Sequence, residues 1–515
     1  MTEHHVPARR PGAAVLAAVV LAAVAMAVSG VLLATVAHHP STTAPAPAAT
    51  ASAAAPDAVV TIASGARPIA VPNSFLGIST EYWTLPVWAR QPALLDRTLA
   101  LVRPDGPLLL RIGGDSADHT TWAPQRELPE WVFEITPAWL RQTSAIVRGT
   151  GARLILDLNL ITASPAQAAR WATVARRRLP AGSIVAFEVG NEPDIYSRSS
   201  WQQKTGGTLR LPQRITAQAY ARAFAGYDKA LESAPPEIPL YGPALAEPQK
   251  NLSWITSLLS RPHPDLRAIT GHRYPYSQCS HPGMRTYPTI GRVLSENATA
   301  GMAATIRPAV RLAARHHLPL RLTEINSVTC GGRRGVSDTF ATALWAPDAL
   351  FELMQAGARS ASVHVRADAI NMAFSITAHG LVSHPLFYGM IVFSKMLGPG
   401  AQLVPVHVTK SPAAHLKAWA VRVSGNVMHV LLINKGSRRQ RVLLRLHATG
   451  PATVQRLRAP SVSARSGVTL GGQHLTPAAT WQGTATTEAV TAGPSGPQVS
   501  VPGYSAALVT VSVTP

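Results

Sequence analysis

Two stretches of the chain place carboxylates directly after short apolar runs: Glu188-Val189-Gly190-Asn191-Glu192-Pro193-Asp194 and Leu322-Thr323-Glu324-Ile325-Asn326-Ser327. Two carboxylates flanking one sugar are what cleavage of a glycosidic bond needs. One must stay protonated, to give its proton to the leaving oxygen. The other must stay ionised, to attack the anomeric carbon. Taken singly, each motif also has a purely structural reading. A Glu before Pro is often a solvated loop residue or a helix start, and Glu324 could be half of an ion pair with an arginine. The fold decides, by bringing both to one place or keeping them apart.

The elements around these motifs alternate. Eight apolar runs read as buried strands, at 75–80, 108–113, 154–160, 184–189, 239–244, 268–272, 320–325 and 362–365. Segments with helical periodicity lie between them, among them 136–148, 166–178, 216–233, 297–316 and 339–356. Such alternation implies a parallel sheet covered on both faces. Eight repeats predict an α/β fold of the (β/α)8 TIM barrel type rather than a doubly wound sheet. No Gly-rich dinucleotide fingerprint follows the early strands. A barrel of this kind forms its active site at the C-terminal ends of its strands. Glu192 follows strand four and Glu324 ends strand seven, across the barrel from each other, so both can reach one sugar.

After about residue 400 the helical periodicity stops. Alternating segments at 403–408, 416–423, 427–434, 441–447 and 507–513 follow, separated by turns such as Ser424-Gly425-Asn426 and Lys435-Gly436-Ser437. They predict a C-terminal antiparallel β-sandwich. At the other end, residues 12–37 form an uncharged run of 26 residues, preceded by Arg9 and Arg10. The apolar core of a cleaved signal spans only ~7–15 residues, whereas a spanning helix needs ~20. The expectation is a single-pass membrane anchor with the catalytic part outside the cell, or secretion if the segment is cleaved. The expected organisation is 1–11 cytoplasmic N-terminus, 12–37 transmembrane anchor or signal peptide, and 38–57 Ala/Pro/Thr-rich linker. Then come 58–72, a strand joining the sandwich, 73–400, the catalytic barrel, and 401–515, the sandwich. The loops after strands six and seven are neighbours at a barrel mouth, so Cys279 and Cys330 are expected to form a disulfide. Cys330 has no evident partner base that would make it a nucleophile.

Composition narrows the remaining classes. With 46% hydrophobic and 14% charged residues the chain supports a packed core, which excludes wholesale disorder, collagen and a coiled coil. Two cysteines exclude a disulfide-dense scaffold and a four-thiolate zinc site. The net charge of +21 suits an anionic membrane surface or an acidic substrate, or is simply solvated. The arginines are scattered, and no aromatic-interleaved basic stripe or zinc-finger spacing occurs, so nucleic acid is not an expected partner.

Further motifs accompany the two glutamates. They are Leu110-Arg111-Ile112-Gly113-Gly114-Asp115-Ser116-Ala117-Asp118 on strand two, Gly271-His272-Arg273-Tyr274 on strand six, and Pro385-Leu386-Phe387-Tyr388-Gly389 opening the last helix. With Asn191-Glu192-Pro193 and Glu324, the chain resembles the retaining-glycosidase clan built on this barrel. Within that clan it resembles glycoside hydrolase family 79, which holds heparanase and bacterial β-glucuronidases, over roughly residues 58–515. The resemblance implies a retaining β-glycoside hydrolase of β-glucuronidase or heparanase type that acts on a glucuronide or acidic polysaccharide. It implies no metal and no organic cofactor. It assigns Glu192 as general acid/base and Glu324 as nucleophile. Asn191 would bond the sugar 2-hydroxyl, Arg111 and Tyr274 would hold Glu324, and Glu81 would bind sugar hydroxyls. Asp115 and Ser116 fall in the matching strand-two loop, His272 on strand six, and Gly331 and Gly332 after the nucleophile, all as substrate-binding positions. Turn chemistry or helix capping is the other reading of Asp115 and Asp118, and packing that of His272.

Two departures leave the sugar open. Thr329 stands where glucuronide-cleaving relatives often carry a Tyr before the two glycines, and no second Tyr follows strand eight in Arg366-Ala367-Asp368-Ala369-Ile370-Asn371. Arg333 or Arg366 could bind a sugar carboxylate bidentately instead. A neutral β-glycoside is the alternative substrate. A surface carbohydrate-binding protein without catalysis is the alternative class, and the intact pair Glu192 and Glu324 counts against it.

Overall fold

The computed structural model describes residues 55–514 apart from 63–66, 104–105, 124–126, 233–237, 413 and 424–425. Eight parallel strands form a closed barrel: β1 (Leu76–Glu81), β2 (Leu109–Gly113), β3 (Arg153–Leu158), β4 (Ile184–Val189), β5 (Leu240–Leu245), β6 (Leu266–Arg273), β7 (Leu320–Ile325) and β8 (Ala361–His364). Closure is a register fact: Ala361 of β8 lies opposite Leu76 of β1, and His364 opposite Ser79. The (β/α)8 expectation is borne out, each of the eight apolar runs giving one barrel strand.

Local chemistry sets the helices between the strands. The helix Pro137–Thr150 begins where the Thr136 hydroxyl accepts a hydrogen bond from the Trp139 N–H, with Pro at its first position. It ends at Gly151, whose φ of 64° no β-carbon hinders. The helix Pro165–Arg178 opens with a full capping box, Ser164 and Gln167 satisfying each other's backbone N–H groups. The helices Phe340–Gln355 and Pro385–Lys395 are apolar nearly all round, because each is covered on every side.

The cover comes from the C-terminal sheets. A large, mainly antiparallel sheet includes Gln402–Val404, Leu416–Arg422, Val427–Asn434, Ser505–Ser512 and Ala452–Arg458. A second sheet runs Val406–Lys410, Ala58–Ile62, Gln440–Arg445 and Gly496–Val501. The run read as one strand at 403–408 is thus two, broken at Pro405, which has no N–H for a ladder and passes the chain from one sheet to the other. The period-2 pattern shows which face of the large sheet goes where. Leu416, Ala418 and Ala420 pack between the sheets with Val430, Leu432 and Val509. Trp419, Val421, Leu431 and Ile433 pack on the barrel helices. Trp419 stacks on Phe351 at 5.3 Å and donates its indole N–H to Asp348. Buried Asp348 also meets the ammonium of Lys435 at 2.5 Å, so barrel and sandwich share one core.

One expectation is corrected. Among the described residues no helix is long and apolar enough to cross a membrane, so the single-pass anchor, the membrane partner and the placement of the catalytic part outside the cell are not borne out. Residues 12–37, on which that reading rested, lie outside the described residues.

Candidate active site

Arg111 of β2 is the hub of the barrel mouth and is fully buried. Its Nε donates to Glu188 Oε2 (2.9 Å), Nη1 to Glu324 Oε2 (3.0 Å) and Nη2 to Asn191 Oδ1 (2.9 Å), while Nη2 also lies 2.5 Å from Asp157 Oδ2. Three buried carboxyl groups around one guanidinium cannot all ionise cheaply. Burial pushes Asp157 well up, and the neighbouring Glu188 charge adds to it. Burial works against Glu188 too, but Arg111 and a proton shared from Asp157 bring it below the usual range. Of the two, Asp157 is the carboxyl that burial drives away from ionisation.

Glu324 ends β7 with both oxygens occupied. The Tyr274 hydroxyl donates to Oε1 at 2.6 Å, and Arg111 donates to Oε2. His364 Nδ1 lies 3.3 Å from Oε2. Burial opposes ionisation of Glu324, but the neighbouring imidazoles, the Arg111 guanidinium and the Tyr274 hydroxyl outweigh it and hold the carboxyl at about 2. His364 is pushed down by its own burial and by Arg111, so Arg111 is the permanent charge.

Glu192 is shifted in the opposite direction. It follows the Gly190-Asn191 turn after β4. Gly190 has φ 77°, and a β-carbon there would lie 2.7 Å from the Leu160 side chain. Glu192 itself has φ 48°, unusual for a non-glycine residue, and is held by its N–H donating to the Ala244 carbonyl at 3.0 Å. Burial raises its pKa, and the charges of Glu324 and Asp115 add to the effect against a hydrogen bond with His272. That contact is His272 Nδ1 to Glu192 Oε1, 2.9 Å. A register shift between Gly271 and His272 sets His272 opposite Glu324. Oxygens of the two glutamates and a nitrogen of His272 all lie within 4.8 Å of one another. Such a trio could in principle ligate a cation, but any ion there would sit against the Arg111 guanidinium. Two carboxyl groups this close, one driven to ionise and one to stay protonated, are equipped for nucleophilic attack and proton donation on one substrate.

The other expected positions divide. Glu81 ends β1 beneath the mouth, its Oε2 accepting from the Ser116 N–H at 2.8 Å. Burial, with Asp115 adding, lifts it to about 7. Asp115 is largely exposed, 3.9 Å from Arg366. Ser116 is 1% exposed, and its hydroxyl donates to the Gly113 carbonyl and accepts from the Tyr82 N–H. Its part is to hold Glu81. Asp118 takes its structural reading, accepting from the N–H groups of Leu160 (2.6 Å) and Asn191 (3.2 Å) and so fixing the turn before Glu192. Gly331 lines the mouth with φ 76°, and Gly332 packs so tightly that a β-carbon would lie 2.7 Å from Asn371. Cys279 and Cys330 form a disulfide that ties the loops after β6 and β7.

Glu81, Asp115, Glu192, Tyr274, Glu324, Gly331, His364 and Arg366 line a cavity of about 300 Å³. His364, Asp157 and Glu188 went unassigned in the sequence. His364 closes β8, so the strand-end rule that found Glu324 applies to it as well. Asp157 and Glu188 were legible only as charges inside otherwise apolar strands.

Residues 418–508 match the model of the glycosyl hydrolase family 79 C-terminal beta domain. Among curated proteins none matches the sequence. Similar solved structures include a 4-O-alpha-L-rhamnosyl-beta-D-glucuronidase from Fusarium oxysporum 12S (18% identity, 88% of this chain and all of that one, TM-score 0.72). The family 51 arabinofuranosidase from Xanthomonas axonopodis pv. citri is another (15% identity, 89% and 100% covered, TM-score 0.65). A third is the alpha-L-arabinofuranosidase from Thermotoga maritima (18%, 89% and 100%, TM-score 0.64). At these identities the likeness is one of fold. The matched C-terminal domain bears out the family 79 resemblance read from the motifs.

Proposed function

We propose that this glycoside hydrolase of family 79 cleaves a β-glycoside by double displacement, with Glu324 as nucleophile and Glu192 as general acid/base. The observation that carries the reading is the pair itself: carboxyl oxygens within 4.8 Å of each other, with pKa values driven apart. Retaining glycosidases hold their carboxyl groups ~5–5.5 Å apart, whereas inverting enzymes need ~6.5–9.5 Å to admit a water.

In the first step a Glu324 oxygen bonds to the anomeric carbon. The bond from that carbon to the leaving oxygen breaks, and the Glu192 proton goes to that oxygen. In the second step Glu192, now ionised, takes a proton from water. The water oxygen bonds to the anomeric carbon and Glu324 leaves as the carboxylate. Two inversions give net retention. Arg111 and Tyr274 keep Glu324 ionised and aimed. Asn191 spends its carbonyl on Arg111, which turns its amide NH2 toward the sugar 2-hydroxyl. Glu81, near neutral pH a mixture of acid and carboxylate, can both donate to and accept from sugar hydroxyls.

For the glycone we favour a β-glucuronide. Arg366 is the one arginine among the residues lining the glycone cavity, beside Thr329 and Gly331, and a guanidinium suits a sugar carboxylate. The Fusarium oxysporum protein of similar fold is named a beta-D-glucuronidase. A neutral glycone is the second reading, favoured by Asp115 lying 3.9 Å from that guanidinium. Hydrolysis of a panel of aryl β-glycosides tests both. Turnover of the glucuronide, weakened chiefly in KM by Arg366→Gln, supports the first. Turnover of a neutral glycoside alone supports the second, and no turnover of any β-glycoside sinks the whole reading.

A further inference from the structure

A cavity of about 540 Å³ is walled by the end of β6, the loop after it and the start of the helix Ala300–Arg315. It shares no lining residue with the glycone cavity. The alternation of a strand end explains the separation. His272 and Tyr274 reach Glu192 and Glu324, while Arg273 between them turns the other way. Three arginines line this cavity, Arg273, Arg285 and Arg292, and no carboxylate does.

The guanidinium groups are held by neutral acceptors. Arg273 donates from Nε to the Thr305 hydroxyl (3.0 Å) and from Nη1 to the Tyr274 carbonyl (2.6 Å). Arg292 donates from Nη1 to the carbonyls of Met284 (2.7 Å) and Tyr287 (2.6 Å). A guanidinium has five N–H donors, so these contacts fix each plane and leave donors over. The acids nearby are committed elsewhere: Glu247 pairs with Lys250 at 2.6 Å and Glu296 with Lys417 at 3.1 Å. Burial pushes Arg273 down against the charge of Glu247, as befits a cation short of anions. Arg333, 4.4 Å from the Tyr287 ring centroid, adds positive charge. So does the helix Ala300–Arg315, whose Gly301 and Met302 belong to the wall. Its first turn holds no acidic residue, and Thr299 does not cap it with its side chain. Solvation alone accounts for exposed Arg285, but not for half-buried Arg273 and Arg292.

We propose that this cavity binds a tetrahedral dianion, phosphate, as the free ion or as the terminal group of a small phosphate monoester. Arginine pairs with phosphate bidentately, and three guanidiniums match a group with several oxygens and roughly 1.5–2 negative charges near neutral pH. A carboxylate offers two oxygens and one charge. The volume exceeds the glycone cavity's 300 Å³, so a polyol fits beside the phosphate. The site stands whichever glycone the enzyme cleaves.

The test is calorimetric titration of the full chain, at fixed ionic strength, with inorganic phosphate, glycerol 3-phosphate and acetate. Phosphate should bind saturably at one site per chain, and acetate at least about tenfold more weakly. Arg285→Gln should weaken phosphate about tenfold, and Arg285→Lys should recover part of the loss. Arg285 is exposed, so Arg285→Gln should keep the native Tm without phosphate, which separates lost binding from lost fold. Arg366→Gln should leave phosphate binding unchanged, which separates this site from the glycone cavity. Tighter binding of glycerol 3-phosphate than of inorganic phosphate assigns the site to a monoester; equal or weaker binding assigns it to the free ion. No saturable phosphate binding, acetate binding as tight as phosphate, indifference to Arg285→Gln, or loss of binding in Arg366→Gln each overturns the proposal.

Discussion

Substituting His272→Phe isolates one contact that sets the proton-donating state of the site. The ring volume stays close to native in a fully buried position, but the Nδ1 partner of Glu192 at 2.9 Å disappears. His272 is itself raised above the usual histidine value: burial lowers it, but Glu324 and Glu192 outweigh burial, so it stabilises charge on both carboxylates. A hydrogen bond to a charged group is worth about 1.5–3 kcal/mol, and one pH unit corresponds to about 1.4 kcal/mol. The sign follows from which form acts. His272 favours ionised Glu192, so its loss keeps Glu192 protonated to higher pH. The alkaline limb of the kcat/KM profile on an aryl glycoside should then move up by roughly one to two units. The acid limb, which reports Glu324, should move up as well, because His272 also lowers that carboxyl. His272→Gln, which keeps a donor, should bring the limbs partly back. The decisive quantity is limb position rather than peak rate. Limbs that stay in place, or an alkaline limb that moves down, would refute the account of how Glu192 is held as an acid.

The two glutamates should fail in different ways. Glu324→Gln should abolish the covalent intermediate, since an amide cannot attack as a carboxylate does; Glu192→Ala should accumulate it from an activated aryl glycoside, with azide restoring turnover as a β-glycosyl azide. Azide rescue of Glu324→Ala to an α-azide, with Glu192→Ala inert, would exchange the assignments. Lys435→Met strands buried Asp348 between barrel and sandwich and should cost about 3 kcal/mol by denaturant unfolding at neutral pH. Burial would raise Asp348, but Lys435 and Lys417 hold it below 3.8, so the pair's stability is full above that value and fades as pH falls through the lower folded value; a cost that does not shrink on acidification would contradict this. Replacing Cys279 and Cys330 with Ser opens a loop with a sequence separation of 51. Loop entropy assigns such a bridge roughly 4 kcal/mol, and the unpinned Gly331 loop should also raise KM; an unchanged Tm and KM would remove the disulfide from both roles.

Much of this protein was legible in the sequence because a barrel repeats one local event. Each strand is an apolar run, each helix has its own cap, and the strand-end rule converts position along the chain into position at the mouth. That sufficed to single out Glu192 and Glu324. Local pattern also separated the sandwich from the barrel, though not the break at Pro405, whose effect depends on which sheet lies nearby. Tertiary structure alone decided how the charges are shared. Arg111 gathers Asp157, Glu188, Glu324 and Asn191 from three other strands and one loop, and only that convergence sets the direction in which each carboxyl is shifted. Ser116, read in the sequence as a substrate-binding position, is buried, with its N–H and hydroxyl engaged by Glu81, Gly113 and Tyr82. Sequence spacing records residue types and periods. Burial and the field of groups distant along the chain set pKa values and exposure, and these exist only once the barrel has closed.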